Sequence, residues 1–355
     1  MYQARIKNVL SNMEKMGIRQ MLICDFESIY YLTGYYNQPM ERLFALYLNA
    51  DGNHKFFLNK LFPMPDSDIE KIWFTDTDDY VKILAENVDG TCDMGVDKLL
   101  PARFLLPLMG HNPECRYILA SDCVDDARAC KDEAEQALMR EVSQINDMAM
   151  DAAREFIYEG MTEIELAEFL VGQYQLHGTS AGLPLVAFGK NAADPHHHAD
   201  GTTLKAGDCI VIDTGSKLQY YNSDMTRTYF CKEVSEEHQK IYNTVLEANL
   251  LAESMICPGV PLCELDRAAR EHIAAAGYGE NFTHRLGHFI GQNVHEQGDV
   301  SATSCLIAKP GMIFSIEPGI YIVGDVGVRI EDLVLVTEDG CELLNRLEKE
   351  LTLVG

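Results

Sequence analysis

Five side chains in the C-terminal part of the chain could do chemistry together: Asp213, Asp224, His288, Glu317 and Glu331. Asp213 closes the apolar run 209–212, and Asp224 opens the next run, 225–230. Glu317 closes the run 313–316, and Glu331 lies inside the run 328–336, read as one strand. Each pair of acids therefore sits on neighbouring strands, where the carboxylates can converge. A buried carboxylate without a counter-charge is costly. Four of them call for about four positive charges, which two divalent cations supply, and a carboxylate can bridge two metals roughly 3.5–4 Å apart. His288 adds an imidazole inside His284-Arg285-Leu286-Gly287-His288-Phe289-Ile290-Gly291, followed by Val294-His295-Glu296. A mixed nitrogen and oxygen set suits Mn²⁺, Co²⁺, Fe²⁺ or Zn²⁺ better than Ca²⁺ or Mg²⁺ alone. Position 299 is Asp, so His295-Glu296 does not begin the HExxH pattern of a mononuclear zinc protease.

The elements that must position these groups follow from periodicity. Residues 1–127 read as an α/β domain. A helical pattern over 4–16 is followed by a strand at 21–24, a short helix at 28–32, a hairpin around Asp51-Gly52-Asn53, and further βα alternation. Residues 128–355 form a second domain. A long helical pattern covers 131–158, and Thr162-x-x-Glu165 opens another helix as a capping box. Strands follow at 185–189, 208–214 and 225–233. Helices then run from Ser235 to about 256 and from 262 to 276, and strands return at 312–317, 319–323 and 328–336. An internal repeat runs through this domain. Glu159-Gly160-Met161-Thr162 resembles Pro258-Gly259-Val260-Pro261, Lys205-Ala206-Gly207 resembles Lys309-Pro310-Gly311, and Asp213 and Asp224 answer to Glu317 and Glu331. Matches in one order at an offset of roughly 100 residues predict two similar αβ halves, each supplying two carboxylates to a central site.

Composition narrows the function classes. The chain has 355 residues, long enough for two cores. Its 55 acidic against 29 basic residues give a net charge of −26, which repels phosphate backbones and anionic lipid heads, so neither nucleic acid nor membrane is an expected partner. No apolar run approaches the roughly 18 residues of a membrane span. Eleven cysteines without a CxxC pair suit a reducing compartment, and the cytoplasm is the expected location.

The chain resembles the pita-bread metallopeptidases, above all the Xaa-Pro dipeptidases (prolidases) and Xaa-Pro aminopeptidases. The matching segments are Ile212-Asp213-Thr214-Gly215, Ser223-Asp224-Met225-Thr226-Arg227-Thr228, His284-x-x-Gly287-His288-x-x-Gly291, Ile316-Glu317-Pro318-Gly319-Ile320-Tyr321 and Val328-Arg329-Ile330-Glu331-Asp332. Tyr31-Leu32-Thr33-Gly34-Tyr35 resembles the creatinase-type N-terminal domain. The resemblance implies an α/β creatinase-type domain followed by an α+β pita-bread domain of two pseudo-symmetric halves. It implies hydrolysis of the peptide bond before proline, in dipeptides or at peptide N-termini. Asp213 would hold one metal ion, His288 and Glu317 the other, and Asp224 and Glu331 both; manganese is the first expectation. Glu317 would also carry protons, His295 would bind the substrate carbonyl or oxyanion, His196 would contact the bound peptide, and His284 would line the same cleft as a further catalytic residue. Tyr321 and Arg329 would bind substrate and orient the ligands. The family's usual assembly is a homodimer. Relatives that act on a non-peptide amide or small osmolyte, and metal-free creatinase-like or binding relatives, are the alternatives. Two positions depart from the family: Phe289 stands where glycine is usual, which predicts a bulkier pocket wall, and Gly298 stands where proline is common.

Overall fold

Short apolar runs between turn residues build the first unit, Met1–Arg128. In the computed structural model, which describes residues 2–355, these runs are β1 (Gln20–Ile23), β2 (Ala45–Asn49), β3 (Lys55–Asn59), β4 (Glu70–Phe74), β5 (Met94–Val96) and β6 (Tyr117–Leu119). They form one mixed sheet in the order β4-β3-β2-β1-β5-β6. The helices are α1 (Gln3–Lys15), α2 (Phe26–Thr33), α3 (Tyr80–Glu86), α4 (Ala102–His111) and α5 (Asp122–Ala129). Alternate strand residues point to opposite faces. Met21, Ile23, Leu46 and Leu48 pack with α1, α2 and α5, whereas Leu22, Ala45 and Tyr47 pack with α3 and α4. The unit is thus a sheet with helices on both faces.

The second unit, Ala129–Gly355, opens with α6 (Glu133–Phe156) and α7 (Glu163–Leu176). Capping boxes start both: Asp132 with Glu135, and Thr162 with Glu165. Each such cap contributes about 1 kcal/mol to its helix. These helices pack on β7 (Leu185–Phe188), β8 (Cys209–Thr214) and β11 (Met225–Cys231), with Val186, Ile210, Ile212 and Met225 facing Ala149, Leu166 and Leu170. A small hairpin, β9 (Lys217–Leu218) and β10 (Tyr221–Asn222), links β8 to β11. The other half has α8 (Glu236–Ser254) and α9 (Leu262–Ala275), then β12 (Gly287–Phe289), β13 (Glu296–Val300), β14 (Ile313–Ile316), β15 (Gly319–Ile322), β16 (Val326–Arg329), β17 (Asp332–Val336) and β18 (Cys341–Leu343). Its main sheet runs β13-β12-β14-β17-β18, and β19 (Leu353–Val354) returns to the edge of the first sheet beside β11. Val211 and Phe230 of the first sheet share one core with Phe314 and Ile316 of the second and with Val245 and Leu265 of α8 and α9.

The repeat seen in the sequence is a repeat of backbone geometry. Gly160 and Gly259 both adopt φ of +93°. Gly160 N donates to Leu204 O at 2.8 Å, and Gly259 N donates to Ala308 O at 2.9 Å. The bridges Thr162–Thr203 and Pro261–Ile307 are the matching pair. Lys205-Ala206-Gly207 and Lys309-Pro310-Gly311 therefore lie at equivalent places.

One expected element divides in two. The run 328–336 is not a single strand: β16 pairs with β15, β17 pairs with β14, and Ile330 and Glu331 fall between them. The chain changes sheets there because Glu331 N turns to Thr226 O at 3.1 Å, and the Arg227 guanidinium donates to Glu331 O at 2.7 Å. The apolar stretches Val326–Val328 and Leu333–Val336 are separated at the break by the charged Arg329, Glu331 and Asp332.

Candidate metal centre

The centre is built where strand ends of the two halves meet. In the β8–β11 ladder Asp213 lies opposite Thr226, and Asp224 immediately precedes β11. In the β14–β17 ladder Ile316 lies opposite Asp332, which sets Glu317 beside Glu331. Two glycines allow this convergence. A Cβ on Gly215 would fall 2.0 Å from Ser223 O, and one on Gly287 would fall 1.8 Å from Ser315 O. The strands carrying the acids and the histidine could not approach so closely with any side chain there.

His288 Nε2 sits amid three carboxylates, 3.7 Å from Asp224 Oδ2, 3.6 Å from Glu317 Oε1 and 3.8 Å from Glu331 Oε1. The ligand atoms of Asp224, His288 and Glu331 lie within 4.8 Å of one another, and all three residues are buried. Asp213 completes the wall, its Oδ2 accepting from Arg329 Nη2 at 2.6 Å. Burial, then the neighbouring Asp213 and Glu317 charges, pushes the Asp224 carboxyl well above the usual range. Burial and Asp224 do the same to Glu331. Burial raises Glu317 to about 7 and lowers His288 to about 4. The three carboxyl shifts have one origin, negative charge crowded into a dry place, whereas the His288 shift comes from burial and then the neighbouring His295. Glu331 Oε1 has no hydrogen-bond partner although it is buried. The site therefore fits divalent cations by three independent marks: clustered acids, an unprotonated imidazole and an orphaned oxygen aimed among them.

Neighbours fix the orientation of these groups. Thr226 Oγ1 donates to Glu331 Oε2 at 2.8 Å, and Ser315 Oγ donates to Glu317 Oε1 at 3.2 Å. Arg329 donates to Asp213, to Tyr321 Oη at 2.9 Å and to Thr226 Oγ1 at 3.1 Å. Burial opposes its charge, but Tyr321, Asp213 and Glu317 outweigh that and hold it protonated. Arg227, buried beneath, pairs with Asp332 at 2.7 Å and Lys349 pairs with Asp332 at 2.8 Å. Tyr174 Oη and Asn146 Nδ2 bond Thr214 from behind. Thr226 and Arg227 stand in a motif segment, so the sequence pointed at them without assigning a role. Ser315, Asn146 and Tyr174 had no signal beyond their apolar surroundings.

The cluster forms the floor of a cleft of about 770 Å³. His196, His284 and His295 line it. The His295 and His288 rings lie 4.3 Å apart, nearly edge to face. His284 Nε2 meets Tyr321 Oη at 2.9 Å, and burial lowers the His284 pKa to about 4. Arg329 and Tyr321 are buried, with their polar atoms committed to the protein, and Tyr321 lies behind the cleft wall. The third cleft histidine, His196, precedes one that is differently engaged: His197 Nε2 meets Glu163 Oε2 at 2.7 Å.

Phe289 does not narrow the pocket. It is fully buried, packs on Phe314 at 5.6 Å and belongs to the shared core. The second departure explains the first. Gly298 adopts φ of +107°, and a Cβ there would fall 2.8 Å from the Phe289 ring. Proline cannot take that φ, so the bulky Phe289 and the bare Gly298 fit each other on adjacent strands.

The chain belongs to metallopeptidase family M24, which its residues 137–338 match, and residues 5–130 match the creatinase/prolidase N-terminal domain. It is a metallopeptidase of pita-bread fold. An uncharacterized peptidase of Staphylococcus aureus is 36% identical over 329 residues, covering 91% of this chain and 93% of the relative. The solved dipeptidase of Pyrococcus horikoshii superposes with a TM-score of 0.93 at 31% identity, covering 99% of this chain and 100% of that one. A prolidase of Thermococcus sibiricus gives 0.92 at 31% identity, covering 100% and 99%.

Proposed function

We propose that this metallopeptidase hydrolyses the Xaa-Pro bond of short peptides with two divalent cations, manganese first among them. The carrying observation is the buried Asp224–His288–Glu331 cluster with its unpartnered Glu331 oxygen at the floor of the cleft. Likeness to a prolidase and a dipeptidase over nearly the whole chain supports the substrate class. Asp213 would hold one cation, His288 and Glu317 the other, and Asp224 and Glu331 would bridge them. Such cations supply Lewis-acid polarisation of the scissile carbonyl and a water acidic enough to attack near neutral pH.

The chain's own residues do the rest. Glu317, lining the cleft beside His288, is placed to accept the proton of the attacking water and pass it to the proline nitrogen as that bond breaks. His295 donates to the carbonyl oxygen as negative charge develops there. His284, held by Tyr321, and His196 flank the bound peptide. Arg285 and Lys217 bring two cationic heads to the cleft, and neither is ion-paired with an acid of the described residues. They suit the free carboxylate of a dipeptide. We further infer a homodimer working in the cytoplasm. The eleven cysteines, none of which forms a disulfide among the described residues, are in keeping with a reducing compartment. Among the described residues no helix is long and apolar enough to cross a membrane.

The test is a hydrolysis panel on metal-stripped protein supplemented with Mn²⁺. Ala-Pro should be cut, Ala-Ala should not, and Ala-Pro-amide should be slower by about tenfold for loss of one charge-assisted contact. Full activity under chelation, or Ala-Ala cut as fast as Ala-Pro, would overturn the reading.

A further inference from the structure

Behind His295 lies a buried ion pair that the metal centre does not use. Lys131 Nζ meets Glu296 Oε2 at 2.9 Å, and the two side chains are 1% and 5% exposed. Glu296 directly follows His295, so its carboxylate ends the loop that carries that histidine. The other oxygen, Oε1, accepts from Gln292 N at 2.9 Å, drawing the start of the loop to its end. Gln292 Nε2 reaches Tyr221 Oη at 3.4 Å, Tyr221 Oη donates to Glu135 Oε1 at 2.7 Å, and Glu135 Oε2 accepts from Asp132 N at 2.9 Å. The circuit thus returns to the residue beside Lys131. Asn222 Nδ2 holds the same loop from the other half, at Gly291 O and Gln292 O.

The lysine itself has no freedom. Its N donates to Gly311 O at 2.7 Å, and its O accepts from Gln136 Nε2 at 2.8 Å. A Cβ on Gly291 would fall 2.9 Å from Lys131 Cε and 2.8 Å from Glu296 Oε1, so the glycine leaves the ion pair its space. Two charges are held out of water in this way only where geometry and further hydrogen bonds compensate their desolvation, and the outcome is often specificity of position rather than stability. The position specified here is that of His295, whose ring stands 4.3 Å from that of His288.

We infer that Lys131 is a positioning residue: through Glu296 it sets the His295 imidazole at the oxyanion side of the cleft. The inference rests on the proposed role of His295. Removing only one partner leaves a buried charge alone, so the decisive variant removes both, Lys131→Met/Glu296→Gln. It should fold and keep its metal content, while kcat on Ala-Pro falls about 10–100-fold, the usual loss when a supporting contact is removed, and KM changes less. In a His295→Ala background the same pair of substitutions should cause no further loss. Equal losses in both backgrounds, loss of metal, or unchanged kcat would overturn the inference. A crystal structure of the pair-deleted variant gives a readout independent of turnover: His295 should leave its place beside His288 or take several conformers, and an unmoved His295 refutes the positioning role. If His295→Ala alone keeps full kcat, the assigned role of His295 fails instead, and the crystal structure still decides whether Lys131 places it.

Discussion

Two clusters of the same residue types lie in the catalytic unit and behave oppositely. Glu163, His197 and Asp200 bring ligand atoms as close together as Asp224, His288 and Glu331 do. In the first, both Glu163 oxygens are used up: Oε1 accepts from Phe188 N at 2.8 Å and Asn191 Nδ2 at 3.0 Å, and Oε2 from Asp200 N at 2.9 Å, with His197 at 2.7 Å. In the second, Glu331 Oε1 has no partner, and the carboxyls are pushed upward by burial and by each other. The first is a clamp on the loop that presents His196. The second is a buried carboxylate cluster whose donor set fits divalent cations. Residue type and distance are shared; the hydrogen-bond ledger separates them.

The comparison can be broken most sharply at Glu331 and Asp224. Either residue changed to Ala should remove both cations and reduce kcat by at least about 10³-fold, beyond the loss of one oxyanion donor. Metal analysis and kcat on each variant check this, and two retained ions would refute the bridging assignment. In chelated protein, Glu331→Gln should raise the melting temperature near neutral pH, since it removes a carboxyl whose ionisation the fold opposes. Glu163→Gln should do the reverse.

Second in size is His295→Ala, with metal content intact and kcat lower by about 10²–10³-fold. Steady-state kinetics beside metal stoichiometry measures it. Unchanged kcat at full loading takes His295 out of the mechanism.

Third is Glu163→Gln. Its amide would place a donor among donors, so stability should fall by about 2–4 kcal/mol. Denaturant unfolding reads this directly. Metal stoichiometry should be unaffected, whereas KM should rise as the His196 loop loosens. Loss of bound metal in this variant would make the two clusters alike and void the distinction.

The smallest effect is expected at Gly298→Ala. The left-handed φ and the Phe289 ring together should make it destabilising by about 1–3 kcal/mol. Activity per folded molecule should hold, because Phe289 lies in the core and not in the cleft. A change of substrate preference without loss of stability would restore Phe289 as a pocket residue.

Asp213, Asp224 and Glu317 were legible as candidates because each ends or opens an apolar strand, Glu331 because it answers to Asp224 across the repeat, and His288 because it stands between Gly287 and Gly291 among histidines. Helix starts were legible where a cap is local, as at Thr162 and Ser235. The break at Ile330–Glu331 was not, since the charges clustered there, Arg329, Glu331 and Asp332, fit functional side chains on an unbroken strand equally well. Nor was the Phe289–Gly298 fit, which joins residues on adjacent strands across a register shift.

The amino-acid order alone determined which side chains could hold a metal, the two-unit architecture, and the pairing of carboxylates between halves. These follow from periodicity, caps and a repeat, all of which act over short stretches of chain. Tertiary structure decided which acid–histidine cluster is satisfied, that Arg285 and Lys217 line the cleft, and that Lys131 reaches Glu296 under the loop of His295. Whether a buried polar atom has a partner depends on chain segments far apart in sequence meeting within about 3 Å. No local pattern records that meeting.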